Sequence, residues 1–209
     1  LATGLTPELL LLTLRTLGLA LAATLLAGLA ALLLAIAKRW SRARWLRGVT
    51  FLAGMGYAIP GAVLALALLV IGAPWQLSPI LLLLWGYSDR FLAVNKGGID
   101  AALERLSPSL DEAATGLGLR WPAVLKRVHL PLLRGPILVG SLLVFVDTVK
   151  ELPLTFALRP FDFDTLAVRV FQYAGDERLA AAVWPALMIL VLGLVASSAL
   201  VPRLDRDTE

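Results

Sequence analysis

The chain has 209 residues, 59% of them hydrophobic, with a mean hydropathy of +0.83 and a formal charge of +4. Soluble domains carry roughly 45–50% apolar residues, so this composition points to an integral membrane protein and leaves no length for a separate soluble domain. The lack of cysteine excludes disulfides, iron–sulfur clusters and thiol catalysis, and a single histidine, His129, leaves little scope for a histidine metal site.

Residues 1–8 carry no basic segment, so no signal peptide is read there, and a first residue other than Met suggests a fragment or a processed piece. Thr6-Pro7-Glu8 reads as a helix start, with a cap, a proline at the first helical position and an acid in the first turn. Residues 16–37 are 22 positions without a charge, and a hydrocarbon core needs about 20. A first span is therefore placed at 13–37, with Arg15 snorkelling to the headgroups. Residues 38–47, KRWSRARWLR, hold five bases and no acid. Such a run could bind nucleic acid, but between two apolar stretches the positive-inside bias makes it a cytoplasmic loop, with Trp40 and Trp45 at the interface. The N-terminus then lies outside, and no nucleic-acid partner is expected.

Residues 48–88 are 41 positions without a charge, too many for one crossing. The Gly72-Ala73-Pro74 break divides them into spans at 49–71 and 77–97. Pro60 should kink the first of these, and Asp89-Arg90 in the second should form a mutual or interhelical ion pair. The polar segment 98–134 follows as a second cytoplasmic loop. Within it Ser109 can cap a short helix, with Glu112 reaching back to complete a capping box. Gly116 and Gly118 permit a sharp turn. Pro122 can open a second short helix, whose Val124, Leu125 and Val128 share a face.

A fourth span is placed at 135–158, although only 135–146 is free of charge. Asp147 and Glu151 share a face at i, i+4, with Lys150 beside them. Residues 159–178 are polar and read as an outer loop, and 179–202, with 24 uncharged positions, as the fifth span. The cytoplasmic segments then hold 13 Lys and Arg (five, six and two) against three in the outer loop, which agrees with the positive-inside rule. The whole is read as one domain, 1–209: an all-α integral membrane fold of about five transmembrane helices, with a cytoplasmic helix–turn–helix loop and a cytoplasmic C-terminus.

That loop carries a specific pattern. Glu112-Ala113-Ala114, three residues, Gly118, nine residues and then Val128-His129-Leu130-Pro131 resembles the EAA motif of ABC importer permeases, with Val128 where the family usually has isoleucine. The resemblance implies a type I ABC importer permease fold in a bacterial inner membrane. It implies that Glu112, Ala113, Ala114 and Gly118 touch a separate ATPase subunit, and that Leu130 and Pro131 set the exit angle into the fourth span. The partners it implies are an ABC ATPase dimer, a periplasmic solute-binding protein and a second permease half or subunit. The stretches SPSLDEAATGLGLRWPAVLKRVHLPLL, 107–133, and FVDTVKELPLTFALRPFDFDTLAVRVFQYAGDERLAAA, 145–182, further resemble permeases for ferric iron, in particular their C-terminal half. Thiamine, polyamines, phosphonates and oxyanions such as sulfate are alternative cargoes, because the loop reads the ATPase and not the cargo.

The chain has no Gly-rich phosphate loop followed by Lys-Ser/Thr, so ATP and magnesium are assigned to the partner ATPase, with no cofactor, metal or catalytic residue on this chain. An integral membrane enzyme is disfavoured by the lack of HExxH and GxSxG. A non-transporting scaffold for the ATPase would have no need of charges inside the membrane. A carboxylate there costs at least ~2.5 kcal/mol. Asp147, Lys150 and Glu151, with Asp89 and Arg90, are therefore the candidate lining of a cation passage. The competing reading is a self-neutralised Asp147–Lys150 pair packed against the other permease half.

Overall fold

Helix α1, Pro7–Trp40, begins as its sequence dictates: the Thr6 hydroxyl accepts the Leu9 N–H at 3.2 Å, with Pro7 and Glu8 in the first turn. Its two sides differ in size rather than polarity. Ala20, Ala23, Ala27, Ala31 and Ala35 are buried, while Leu21, Leu25, Leu29 and Leu33 are exposed. Small residues let neighbouring helix backbones approach, the packing mode of helices that share an apolar solvent. Those neighbours are α4, Pro79–Arg105, and α7, Leu130–Val149, and the three form the central bundle. Asn95 of α4 is fully buried against Gly140 of α7, where a Cβ would overlap Asn95 Oδ1 and lie 3.1 Å from its Cα.

The computed structural model describes residues 6–41 and 43–205, with side chains as far as 198; the tail read as cytoplasmic lies largely outside the described residues. The remaining elements are α2, Arg44–Ala53; α3, Gly61–Gly72; α5, Pro108–Gly116; α6, Trp121–Val124; α8, Pro153–Leu158; α9, Leu166–Gly175; and α10, Leu179–Asp205. A five-residue π turn, Leu125–His129, joins α6 to α7. Among the described residues three helices are long and apolar enough to cross a membrane: Pro7–Trp40, Trp121–Val149 and Leu179–Ser198. Gly61–Trp75 is apolar but shorter.

Two stretches read as single spans are broken. The stretch at 49–71 is α2, a 3₁₀ turn at Gly56–Ala58, and then α3. Pro60 does not kink a helix; it stands before the first residue of α3, where its missing N–H removes no helical bond. The stretch at 135–158 stops at Val149 and resumes only at Pro153, whose missing N–H removes no bond at the first helical position of α8. Helix α4 runs on to Arg105, past the end placed at 97. The segment at 159–178, read as a polar loop, contains α9, whose Leu166 is buried with Leu9 and Leu12 of α1. The Leu166 N–H donates to Thr16 Oγ1 at 3.0 Å, which fixes α9 to α1.

The close approach at Gly140 has a measurable consequence. Forcing a large side chain into such a contact costs about 1–3 kcal/mol. Gly140→Leu should lower the melting temperature of the detergent-extracted protein, whereas Gly193→Leu, with nothing within 4 Å, should leave it unchanged.

Candidate functional site

The segment joining α4 to α7 begins with Ser107. Its Oγ accepts the Ser109 N–H at 3.3 Å and Pro108 follows in the first turn, so the cap stands two residues before Ser109. The third residue after Ser107 is Leu110, so no capping box forms. Glu112 is exposed and its side chain makes no hydrogen bond among the described residues. Helix α5 ends in a left-handed turn at Gly118, φ 84°, with the Leu119 N–H donating to Ala114 O at 3.1 Å. That is the geometry for which glycine carries no side-chain penalty. The turn leaves Leu117 84% exposed at the tip, an apolar residue that motif reasoning passed over. Glu112, Ala113 and Gly118 are exposed, Ala114 is buried, Leu130 is half-buried and Pro131 is exposed.

The buried side of α5 is held by charge. Asp111 Oδ2 accepts from Arg39 Nε at 2.7 Å, and Asp111 Oδ1 lies 2.8 Å from His129 Nε2. Arg39 also donates to the carbonyls of Leu103 at 2.8 Å, Leu106 at 3.2 Å and Ser107 at 3.3 Å. Trp40 packs on Trp121 and His129, with ring centroids 4.9 and 5.7 Å away, whereas Trp45 is 67% exposed. The sequence carried one signal for this cluster: Asp111 and Ala114, at i, i+3, fall on one face of α5, opposite the exposed positions.

The second cluster lies where the two broken helices meet α4. Arg90 Nη1 donates to Ile59 O at 2.6 Å, satisfying a carbonyl that the first break frees. Its Nε lies 3.9 Å from Glu151 Oε2, and the guanidinium stands 5.8 Å from the Tyr57 ring centroid. Glu151 Oε1 accepts the Leu154 N–H at 3.2 Å and so caps α8 across the second break. Lys150 Nζ is 3.0 Å from Asp147 Oδ1, and the Tyr57 hydroxyl is 3.5 Å from Asp147 Oδ2. Tyr57, Arg90, Phe91, Asp147, Lys150 and Glu151 line an open cavity of about 260 Å³. Arg90 thus pairs between elements, with Glu151. Asp89 makes no ion pair among the described residues; its backbone packs against Gly56. Lys150 neutralises Asp147, and both also face the cavity.

Arg90 is mostly buried, so its removal leaves both Ile59 O and Glu151 unmatched. Arg90→Met should destabilise the protein by about 1–3 kcal/mol, the usual penalty for a buried polar group left without its partner. Thermal melts of Arg90→Met with and without Glu151→Gln check this, since the second change removes one of the stranded groups and should recover part of the loss.

Residues 24–209 match the family model described as the binding-protein-dependent transport system inner membrane component. The chain is 27% identical over 138 residues, 65% of its length, to the Fe(3+)-transport system permease protein FbpB 2 of Haemophilus influenzae. The match takes in only 27% of that protein, so the chain spans well under half of this relative. Its fold is similar to the crystal structure of an amino acid ABC transporter with histidines, at a TM-score of 0.70 and 18% identity, over 96% of this chain and 94% of that one. It is also similar to a bacterial ABC transporter involved in import of the acidic polysaccharide alginate, at a TM-score of 0.68 and 15% identity, over 93% and 79%. With its all-helical architecture and its match over nearly the whole length, the chain belongs to the family of binding-protein-dependent transport system inner membrane components.

Proposed function

We propose that this chain is the permease portion of an ATP-driven importer for ferric iron, and that cargo passes the cavity between the two broken helices. The observation that carries the reading is the meeting of both breaks at Arg90. Interrupted helices free backbone groups at membrane depth, and transporters use such places to hold charged cargo. The depth can be gauged along α4. Gly56 packs at Asp89, 14 residues before Leu103, where Arg39 grips the other end of the helix; this is a separation of about 21 Å. The first break therefore lies well inside the bilayer, and α2 and α3 together make one crossing.

On this reading α1, α4 and α10 run inward, while α2–α3 and α7 run outward. The N-terminus is outside and the C-terminus in the cytoplasm. Asp147 and Glu151 offer carboxylates to a cation, while Lys150 and Arg90 keep the empty cavity neutral and hold cargo weakly enough to let it leave. The ferric assignment is supported by the cargo in the name of the Haemophilus relative. A periplasmic binding protein delivers the ion near α9. Two ATPase subunits, carrying ATP and magnesium, close against the exposed residues Glu112, Ala113, Leu117 and Gly118. A second permease half completes the passage, which alternates between two states. Buried Ala114 lets α5 lie close to α6, and Leu130-Pro131 leads the movement into α7.

Uptake of labelled ferric iron into vesicles containing the complete transporter tests the cargo and the passage together. Asp147→Asn with Glu151→Gln should reduce uptake by tenfold or more, on the order of 1.4 kcal/mol, with the ATPase still attached. Unchanged uptake would remove the passage from this cavity. Wild-type vesicles that take up thiamine or a polyamine but no iron would replace the cargo. Glu112→Lys should abolish uptake with the permease still in the membrane, and retention of full uptake would sink the proposed ATPase contact.

A further inference from the structure

We infer that Asp111, held between Arg39 and His129, is the positioning residue through which displacement of α5 reaches the central bundle. The inference rests on the coupling role proposed above for the exposed face of α5. Helix α5 is thinly attached: its main helix contact is α6, and only Asp111 and Ala114 among its residues are buried. Ala114 has no polar side chain, so the directional side-chain link from α5 to the rest of the molecule is the Asp111 carboxylate, beside the bond from Arg39 to the carbonyl of the cap residue Ser107.

Both of its oxygens are engaged, and through them it meets all three central helices. Arg39 belongs to the last turn of α1. The same guanidinium that holds Asp111 accepts the load of α4, because its other donors reach the carbonyls of Leu103, Leu106 and Ser107. Terminal carbonyls have no partner within their own helix, and a cation there complements the negative end of the helix, as Asp111 complements the positive end of α5. His129 leads directly into α7. Its Nδ1 is buried without a partner, and an N–H there would be stranded, which places the hydrogen on Nε2, pointing at Asp111. Trp40 and Trp121 close the cluster over His129. The helices gripped here, α4 and α7, carry Arg90 and Asp147 at the upper cavity. A push on Leu117 or Glu112 therefore reaches the cavity as rigid movement of α4 and α7 rather than as bending of a loop.

Asn at position 111 keeps the size but offers one acceptor where two donors converge. The test uses the complete complex of permease, ATPase and binding protein in lipid vesicles. In Asp111→Asn and Arg39→Gln the ATPase should still copurify, because the outward face of α5 is untouched. Stimulation of ATP hydrolysis by the loaded binding protein should fall about tenfold, within the usual range for coupling between sites. The double variant should be no worse than either single one, as for two ends of one interaction. If Asp111→Asn is not recovered from membranes, Arg39→Lys keeps the charge but loses the fork that reaches several acceptors, and carries the same expectation.

A second readout is independent of turnover. The chain has no cysteine, so Leu110→Cys, on α5 but outside the residues proposed to meet the ATPase, and Leu33→Cys, both at exposed positions, can carry spin labels without background. Their separation should stay narrow and constant between the nucleotide-free and ATP-trapped complexes, and should broaden and shift in Arg39→Gln. Full stimulation in the variants, or identical distance distributions with and without Arg39, would overturn the inference. A wild-type permease that recruits no ATPase would fail the coupling reading instead, and the label distances would still decide whether Asp111 fixes α5.

Discussion

A backbone carbonyl without a partner is expensive wherever water is excluded. Of the two arginines that hold α4, Arg90 meets that constraint, while Arg39 adds a donor to carbonyls of which Leu103 O and Ser107 O already accept the Leu106 and Leu110 N–H groups. Arg39 gathers the carbonyls at the end of α4, and Arg90 takes the Ile59 carbonyl at the first break. Without Arg90 the Ile59 carbonyl at the break between α2 and α3 would lose its donor. Without Arg39 the segment from Ser107 would have no fixed origin. Both guanidiniums then use their remaining donors on a carboxylate, Glu151 above and Asp111 below. Helix α4 is thereby a rod held at two heights, each hold being also a polar cluster with a proposed role.

The bundle around that rod is packed by subtraction. The alanines of α1, and Gly140 opposite Asn95, bring backbones together where larger side chains would keep them apart, and Leu21, Leu25, Leu29 and Leu33 of α1 are turned outward. Because lipid is as apolar as leucine, burying leucine yields little in this setting, and close van der Waals contact between small residues takes its place. At the other end of the molecule the attachment is again ionic. Asp164 is bracketed by Arg159 at 2.6 Å and Arg169 at 3.2 Å, and Arg169 also meets Glu8 at 2.8 Å, which ties the entry of α9 to the start of α1.

Much of this was legible in the chain before any coordinates. The apolar stretches, the Thr6 cap and the glycine turn at Gly118 are local facts, decided by residues within a few positions of one another. What was not legible depends on distant partners. Whether Pro60 kinks a helix or begins one depends on a guanidinium 31 residues beyond Ile59 that can donate to the freed carbonyl. Asp111 looks like one more polar loop residue until Arg39, 72 positions earlier, folds back on it. The buried side of α9 stayed hidden because Leu166-Ala167-Val168 is a short apolar run in a charged stretch, and its cover comes from α1. Asp147, Lys150 and Glu151 were visible as charges in an apolar region. Their common cavity was not, since Tyr57 and Arg90 come from other elements.

The brevity of α3 bears on how such a chain enters a membrane at all. Its 12 residues extend about 18 Å, well short of a hydrocarbon core of about 30 Å. It cannot settle as an independent crossing when it leaves the insertion machinery. The group that stabilises its start, Arg90, is synthesised 31 residues after Ile59. On the topology proposed above, the second crossing is completed only once α4 has followed it, and the two enter the bilayer as a hairpin rather than one after the other.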